Sequence, residues 1–281
     1  MRIGYVVLAY KSPAQVLRLL RRIAGPSSAI AVHVDRSTED TLFRELSRGA
    51  SELENVSFID RRRTPWGSFA LVDATLRGME SLGAGAVPVD YVIVLTGQDY
   101  PLRARTAIER FVAGAGGRSF VHHSRLPYDG WGPDGGLRRL EKWHYRVGSR
   151  RYHFAVPWTR TVPGGLQPFG GEAYWGLTAA AAAYVVRFAR ENRRFVRFFE
   201  HVLIPDEMFF HTIVMNSPFR DEVVNDTLHY VDWDADPAPA ILTADRFERM
   251  VGSGKLFARK FDAATNGDVL DMLDEHIERD A

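Results

Sequence analysis

The chain contains no cysteine. Disulfides, thiolate-held zinc and thiol nucleophiles are therefore excluded together. Its 36 Lys and Arg nearly balance 35 Asp and Glu, leaving a formal charge of +1. No bulk field draws it to nucleic acid or to an anionic membrane. No apolar run approaches the roughly 20 residues of a membrane-spanning helix, and Met1 leads almost at once into the strand-like run Ile3–Ala9. The expectation is a soluble, cytoplasmic protein with neither a secretory signal nor a membrane span. Neither GxGxxG nor GxxxxGK[ST] follows the first apolar run, which counts against dinucleotide and P-loop chemistry. His144 and His153 lack HExxH spacing, and the adjacent His122 and His123 would point apart on a strand. The histidines read as structural or acceptor-contacting.

What is present is the composition of a globular protein: 46% hydrophobic and 25% charged over 281 residues. That suffices for a real core and excludes disorder. Short apolar runs at Ile3–Ala9, Ala29–Val34, Val56–Ile59 and Tyr91–Leu95 predict strands. Ser12-Pro13 supplies a cap and a first-turn proline ahead of Val16, Leu17 and Leu20, and Ser68–Leu82 reads as a second helix. Strands alternating with helices predict an α/β fold, a mostly parallel sheet covered on both faces. Ligands of such sheets lie beyond the carboxyl ends of the strands. That rule points at Ala9, Tyr10, Asp35, Gln98 and Asp99. From Ala113 to Gly171 the periodicity is weak and Gly, Arg, Trp and Tyr abound, as in long ordered loops with short strands. Thr178 should cap a long helix reaching Phe199, Pro205–Met215 should form another, and His229–Trp233 a strand. A last helix is expected from about Asp268. With no internal repeat and no clean boundary, residues 1–281 read as one domain. Its nucleotide-binding half would be 1–112, and its acceptor-binding and catalytic half 113–281.

Several residues invite chemistry. Asp35 and Asp99, at strand ends, could accept hydrogen bonds from ribose hydroxyls or could cap the next element. Asp232-Trp233-Asp234 and Asp234-Ala235-Asp236 are spaced carboxylates suited to a hard cation, or a surface turn ahead of Pro237. Glu207 lies in Ile204-Pro205-Asp206-Glu207-Met208-Phe209-Phe210, among apolar neighbours at the positive end of the expected helix. It could be a general base or merely complement a helix terminus. Arg259 and Lys260 are flanked by Phe257 and Phe261, which would fix two cations as phosphate requires or simply pack beneath a cationic face. Trp131, Trp143, Trp158 and Trp175, in or near the irregular middle, could be platforms for sugar rings or core.

Taken together, the segments Ala9-Tyr10, His33-Val34-Asp35, Trp66-Gly67-Ser68, Leu95–Leu102, Gly170–Leu177, Pro205-Asp206-Glu207 and Leu256–Asp262 resemble the core-2/I-branching N-acetylglucosaminyltransferase and peptide O-xylosyltransferase family, glycosyltransferase family 14. The resemblance runs over nearly the whole chain in the family's order. It implies a GT-A fold, an inverting mechanism, a sugar-nucleotide donor and no required metal or other cofactor. By position, Glu207 matches the family's catalytic base, Lys260 a diphosphate contact and Asp35 an acid at the nucleoside site. Gln98-Asp99 stands where metal-dependent relatives of the fold carry two acids, and one carboxylate is thin ligation for Mg²⁺ or Mn²⁺. Tyr10, Ala9, Trp66 and Arg259 fall on the expected donor side, and Glu172, Tyr174, Trp175 and Trp143 on the acceptor side. A second basic position of animal members falls near Ala240 here, so Arg259, Arg246 or a loop arginine would have to replace it. Animal members carry a membrane anchor and lumenal disulfides, and this chain resembles the bacterial, soluble members. The expected reaction moves GlcNAc or xylose from a UDP-sugar to a hydroxyl of a glycan or small-molecule acceptor. Two readings compete: a metal-dependent transferase using Asp99 or Asp232–Asp236, and a catalytically silent nucleotide- or glycan-binding module. A glycosidase would want two facing carboxylates.

Overall fold

The computed structural model describes residues 1–53, 55–85, 87–147, 150–154, 160–234 and 239–280. The chain begins β1 (Ile3–Ala9), α1 (Pro13–Ile23), β2 (Ser28–Val34), α2 (Asp40–Gly49), β3 (Val56–Phe58), α3 (Phe69–Gly83) and β4 (Tyr91–Thr96). It continues through β5 (Tyr100–Pro101), α4 (Arg105–Gly114), β6 (Ser119–Val121), β7 (Ser124–Arg125), α5 (Leu137–Glu141), β8 (Trp143–Val147), β9 (Arg150–Phe154) and β10 (Phe169–Gly170). It closes with β11 (Trp175–Thr178), α6 (Ala179–Glu191), α7 (Arg193–Phe199), α8 (Phe209–Met215), β12 (Val223–Val224), β13 (His229–Val231), α9 (Phe247–Val251), β14 (Phe257–Arg259) and α10 (Ala263–Arg279).

Successive side chains of a strand point to opposite faces, and here both faces are covered. Ile3, Tyr5 and Val7 of β1 enter one apolar cluster with α1, α4 and α10, while Val6 enters a second with α3, α6 and α8. Ile93 and Leu95 against Val92 and Val94 of β4 divide in the same way. This is why the parallel strands read as unbroken apolar runs. The main sheet has the order β12-β6-β11-β4-β1-β2-β3. Strands β1, β2, β3 and β4 are parallel, and β11 runs antiparallel between β4 and β6. The expected α/β architecture, a mostly parallel sheet with helices on both faces, is the observed one. Because β11 is reversed, its amino-terminal approach, residues 171–174, arrives at the edge where β1, β2 and β4 end. A smaller sheet, β13-β14-β5, sets Arg259 beside that same edge.

Local expectations met mixed outcomes. Thr178 caps α6, its Oγ1 accepting from Ala181 N at 3.3 Å. Ser12 does not cap with its side chain: it sits at φ 52°, and its backbone carbonyl accepts from Val16 N at 3.1 Å. The long helix breaks at Asn192, whose side-chain amide donates to Phe188 O at 2.9 Å, competing with the helical ladder. The expected helix Pro205–Met215 is a 3-10 turn, Pro205–Glu207, followed after Met208 by α8. Asp262 accepts from Ala264 N at 3.2 Å and opens a single turn from Ala263; the backbone leaves helical geometry at Asn266 (φ −142°, ψ 62°), and the regular last helix follows it close to the expected Asp268. No described helix is long and apolar enough to cross a membrane.

One polar node fastens α10 to the body. Asp274 accepts from Arg18 Nε at 2.8 Å, Arg22 Nε at 2.6 Å and Tyr100 Oη at 2.5 Å. Burial pushes its carboxyl up, but Arg22, Tyr100 and Arg18 outweigh it and hold the group below the usual range. Such a depressed carboxylate contributes stability above its unfolded pKa and loses it as pH falls through the folded one. Asp274→Ala should therefore cost about 2–3 kcal/mol at pH 7. In denaturant titrations the difference from wild type should shrink below the ordinary aspartate range.

Candidate active site

The site is assembled at the carboxyl edge of the main sheet, and its cationic side begins with a buried acid. Asp99, just past β4, is fully buried. Its oxygens accept from Thr96 N at 2.7 Å, Thr96 Oγ1 at 2.8 Å and Arg259 Nε at 3.1 Å, with His229 Nε2 at 3.5 Å. Burial pushes the carboxyl up; Arg259 and His229 outweigh it and hold it low. The assignment of Asp99 to the donor is thereby corrected: it faces the protein and fixes Arg259. The reason is register, since β14 lies against β5 and Phe261 N donates to Gln98 O at 2.9 Å. The Arg259 guanidinium lies 4.2 Å from the Tyr174 ring. Lys260, half-buried, has no ion-pair partner among the described residues. Its backbone is bracketed by Ala240 O, 3.5 Å from its nitrogen, and Leu242 N, which donates to its carbonyl at 2.9 Å. Ala240 is thus Lys260's neighbour. Arg246 is shared between Asp232 and Asp245, at 3.5 Å from each.

Asp232 is buried and its Oδ1 accepts from Asp234 N at 3.1 Å, while the turn expected ahead of Pro237 falls on residues that are not described. Asp236 lies outside the described residues. Among the described residues no three His, Asp or Glu converge where a metal could be held.

Around the ends of β1 and β2, Tyr10 is exposed and its hydroxyl donates to Gln98 Oε1 at 2.7 Å, while Ala9 is buried at the end of β1. Gln98 Nε2 donates to Phe261 O at 3.3 Å. Asp35 is less open than its position suggested. Oδ1 accepts from Ser37 N at 2.6 Å, and Oδ2 from Thr64 N at 3.1 Å and Thr64 Oγ1 at 2.9 Å. Both oxygens are occupied, so the capping reading describes what Asp35 does in this structure. Burial raises its pKa, but the Ser37 and Thr64 hydrogen bonds outweigh it and hold the carboxyl low. Beside it opens a cavity of about 830 Å³, lined by Arg36, Phe43, Phe58 and the run Arg61-Arg62-Arg63, which no motif singled out. Trp66 is 64% exposed, with Arg151 stacked 4.5 Å from its ring.

The acidic side hangs on Gly171. A Cβ there would lie 1.9 Å from His122 O, so only glycine passes this point. Gly171 N donates to Glu207 O at 2.9 Å, and His211 Nε2 lies 2.9 Å from Glu172 O. Glu207 Oε2 accepts from Arg139 Nη1 at 2.5 Å, with each side chain 26% exposed. Burial pushes the Glu207 carboxyl above the ordinary 4.5; Arg139 opposes that and Glu172 adds to it. Arg139 itself lies 4.3 Å from the Trp131 ring. Glu172 Oε1 accepts from Trp233 Nε1 at 3.2 Å, and Trp233 is 50% exposed. Neither Arg139 beside Glu207 nor Trp233 beside Glu172 was legible in the sequence.

One acceptor-side assignment is corrected. Trp175 is 1% exposed and packed 5.0 Å from Phe210, because β11 is an interior strand covered on both faces. It is core and offers no face to a sugar. Tyr174 turns to the cationic side, its ring 4.9 Å from His229 and against Arg259. Trp143 is half-buried between Arg160, at 4.3 Å, and His201, at 4.8 Å. Trp158 lies outside the described residues.

The structure defines a class: an α/β protein with Tyr10, Gln98, Asp99 and Arg259 gathered at the carboxyl edge of a mostly parallel sheet. The sequence model of the Core-2/I-Branching enzyme matches residues 3–251, and the chain belongs to that family. The xylosyltransferase oxt of Drosophila pseudoobscura pseudoobscura is 27% identical over 94% of this chain and 32% of its own length. Xylosyltransferase 2 of Rattus norvegicus is 28% identical over 98% of this chain and 34% of its own. The chain thus spans about a third of these curated relatives. Among solved structures, 4-diphosphocytidyl-2C-methyl-D-erythritol synthase from Anaerococcus prevotii overlaps 71% of this chain and 83% of its own, at 10% identity and a TM-score of 0.35, too weak a likeness to argue from.

Asp206, beside Glu207, carries a consequence for stability. Burial and the Glu207 charge push its carboxyl up to about 7. A group raised on folding favours the folded state less as pH climbs from its unfolded to its folded pKa. Asp206→Asn should therefore raise Tm at pH 8 relative to wild type and change it little at pH 4, as scanning calorimetry would read.

Proposed function

We propose that the chain is an inverting glycosyltransferase that moves a sugar, GlcNAc or xylose, from a UDP-sugar to a hydroxyl of a glycan or small-molecule acceptor, without a metal ion. The observation that carries this reading is the short segment 171–174. It bonds to Glu207 at one end and packs against Arg259 at the other. A mostly buried carboxylate and the ion-paired Arg259, with Lys260 next to it in the chain, are therefore tied to the two ends of one segment at the ligand edge of the sheet.

In the proposed reaction Glu207 removes the proton of an acceptor hydroxyl. That oxygen forms a bond to the anomeric carbon from the face opposite the leaving group. The bond from the anomeric carbon to the diphosphate oxygen breaks, its electron pair departs with UDP, and the proton stays on Glu207. Negative charge grows on the β-phosphate and needs a preorganised positive partner. Lys260, which no acid neutralises among the described residues, is suited to that, with Arg259 beside it. Ribose contacts fall to Tyr10, Gln98 and the loop that Asp35 braces, and Trp66 closes the donor end. On the acceptor side, Trp233 offers a half-exposed ring oriented by Glu172.

The metal-dependent alternative asks Asp99 to hold a cation, and its oxygens already serve Thr96 and Arg259. Full activity in EDTA is expected. Lys260→Ala should lower kcat by about 10²–10³, the scale of one preorganised electrostatic partner. Added Mn²⁺ should not rescue that variant. Wild-type activity that vanishes in EDTA and returns with Mn²⁺ would favour the metal-dependent reading.

Glu207→Gln should cut turnover by about 10²–10⁴ with donor binding nearly intact. A variant keeping half its rate would make Glu207 a helix-end residue only. The pH profile supplies a second test. A base whose pKa is raised must lose its proton above the ordinary glutamate range, so the acid limb of kcat should sit above 4.5. Arg139→Gln removes the cation that lowers it, and the limb should move to still higher pH.

A further inference from the structure

The chain as a whole is nearly neutral, but the rim beside Glu207 is not. From Arg138 to Arg151 the sequence holds six Lys and Arg against the single acid Glu141. The loop after β3 adds Arg61, Arg62 and Arg63 against the single acid Asp60. The structure joins these two stretches into one surface. Arg36 N donates to Arg62 O at 3.0 Å, and Arg151 Nη2 donates to Trp66 O at 3.1 Å. Ile204 N donates to Gly67 O and Leu203 N to Arg139 O, each at 3.2 Å, so the rim runs along the turn that carries Glu207. Some of the charge is answered: Arg61 pairs with Asp40 at 2.6 Å, and Arg62 with Asp73 at 3.7 Å. Arg36, Arg63, Arg138 and Arg150 are exposed and have no ion-pair partner among the described residues. Like charges gathered on one rim repel one another unless an anion lies among them.

The adjoining hairpin adds a surface suited to sugar rings. Along β8 and β9 the register pairs Trp143 with Phe154 and Tyr145 with Tyr152. Tyr145 stacks 6.0 Å from Trp143 and 5.2 Å from Phe154. Tyr145 and Phe154 remain 37% and 51% exposed. Aromatic faces pack against the C–H faces of sugars, and guanidinium groups take carboxylate or sulfate in a planar fork.

We propose that the acceptor bound beside Glu207 is an anionic glycan, a sugar chain bearing repeated carboxylate or sulfate groups, seated on this cationic rim. The proposal rests on the glycosyltransferase reading and narrows its acceptor. Binding is measured by titration without donor, using dextran sulfate and polygalacturonate as probes, with neutral dextran, polyglutamate and polyuridylate beside them. The better of the two anionic glycans identifies the anionic group. About four arginine contacts predict a roughly 50-fold loss of affinity between 50 and 200 mM salt, by counterion release from a flexible polyanion. The double variant Arg63→Glu, Arg150→Glu, whose wild-type side chains are exposed, should weaken binding at least tenfold with Tm unchanged. Three results would overturn the proposal: equal binding by that variant, no binding of either anionic glycan, or tighter binding of polyuridylate or polyglutamate than of both. A chain that holds the glycan yet transfers no sugar from any UDP-sugar would leave this site standing and remove the reaction instead.

Discussion

A carboxylate taken fully out of water must be answered by cations and hydrogen-bond donors. Asp99 is that carboxylate, and what answers it organises the site. Arg259 and His229 come from the small sheet, and Thr96 comes from the end of β4. The ion pair thus locks the small sheet onto the ligand edge of the large one. Arg259, held by Asp99, in turn receives the Tyr174 ring, and Tyr174 ends the segment whose other end is tied to Glu207. Lys260 follows Arg259 in sequence, so the same contact brings its backbone to that edge.

The two ends of the segment 171–174 are tuned by opposite means. On the cationic side, charge is fixed by a buried partner, which keeps Arg259 in one place. On the acidic side, Glu207 lies near Asp206 and Glu172 with Arg139 as its ion-pair partner, and burial prevails in raising its pKa. A carboxylate raised in this way holds a proton more tightly than a free glutamate, which suits a base that must accept one from a hydroxyl. In the proposed reaction the proton moves toward the acids while negative charge moves toward the cations.

The parallel core was legible because its strands are buried on both faces and so carry unbroken apolar runs. Placing ligand chemistry beyond strand ends singled out Tyr10 and Gln98, which the structure joins by a hydrogen bond, and also Asp99, which turns inward to hold Arg259. What the sequence concealed were partners remote along the chain. Thr64, which occupies Asp35, is 29 positions away, and Arg139 is 68 from Glu207. Nothing in local spacing encodes either pair. The tryptophans teach the same lesson. Trp175 lies on an interior strand and is buried by the helices on either face, whereas Trp233 follows the short strand β13 and stays half-exposed. Residue type could not separate them, but sheet position does. Helix breaks at Asn192 and Met208 were also missed, since apolar spacing continues through both.

The central claim is that Lys260 and Glu207 face one sugar nucleotide across the segment 171–174. A crystal structure with UDP bound tests it most directly. The account predicts the β-phosphate within hydrogen-bond distance of Lys260 Nζ, with its free oxygen directed toward the Glu207 carboxylate. A diphosphate bound away from Lys260, or one whose terminal oxygen points away from Glu207, would contradict it.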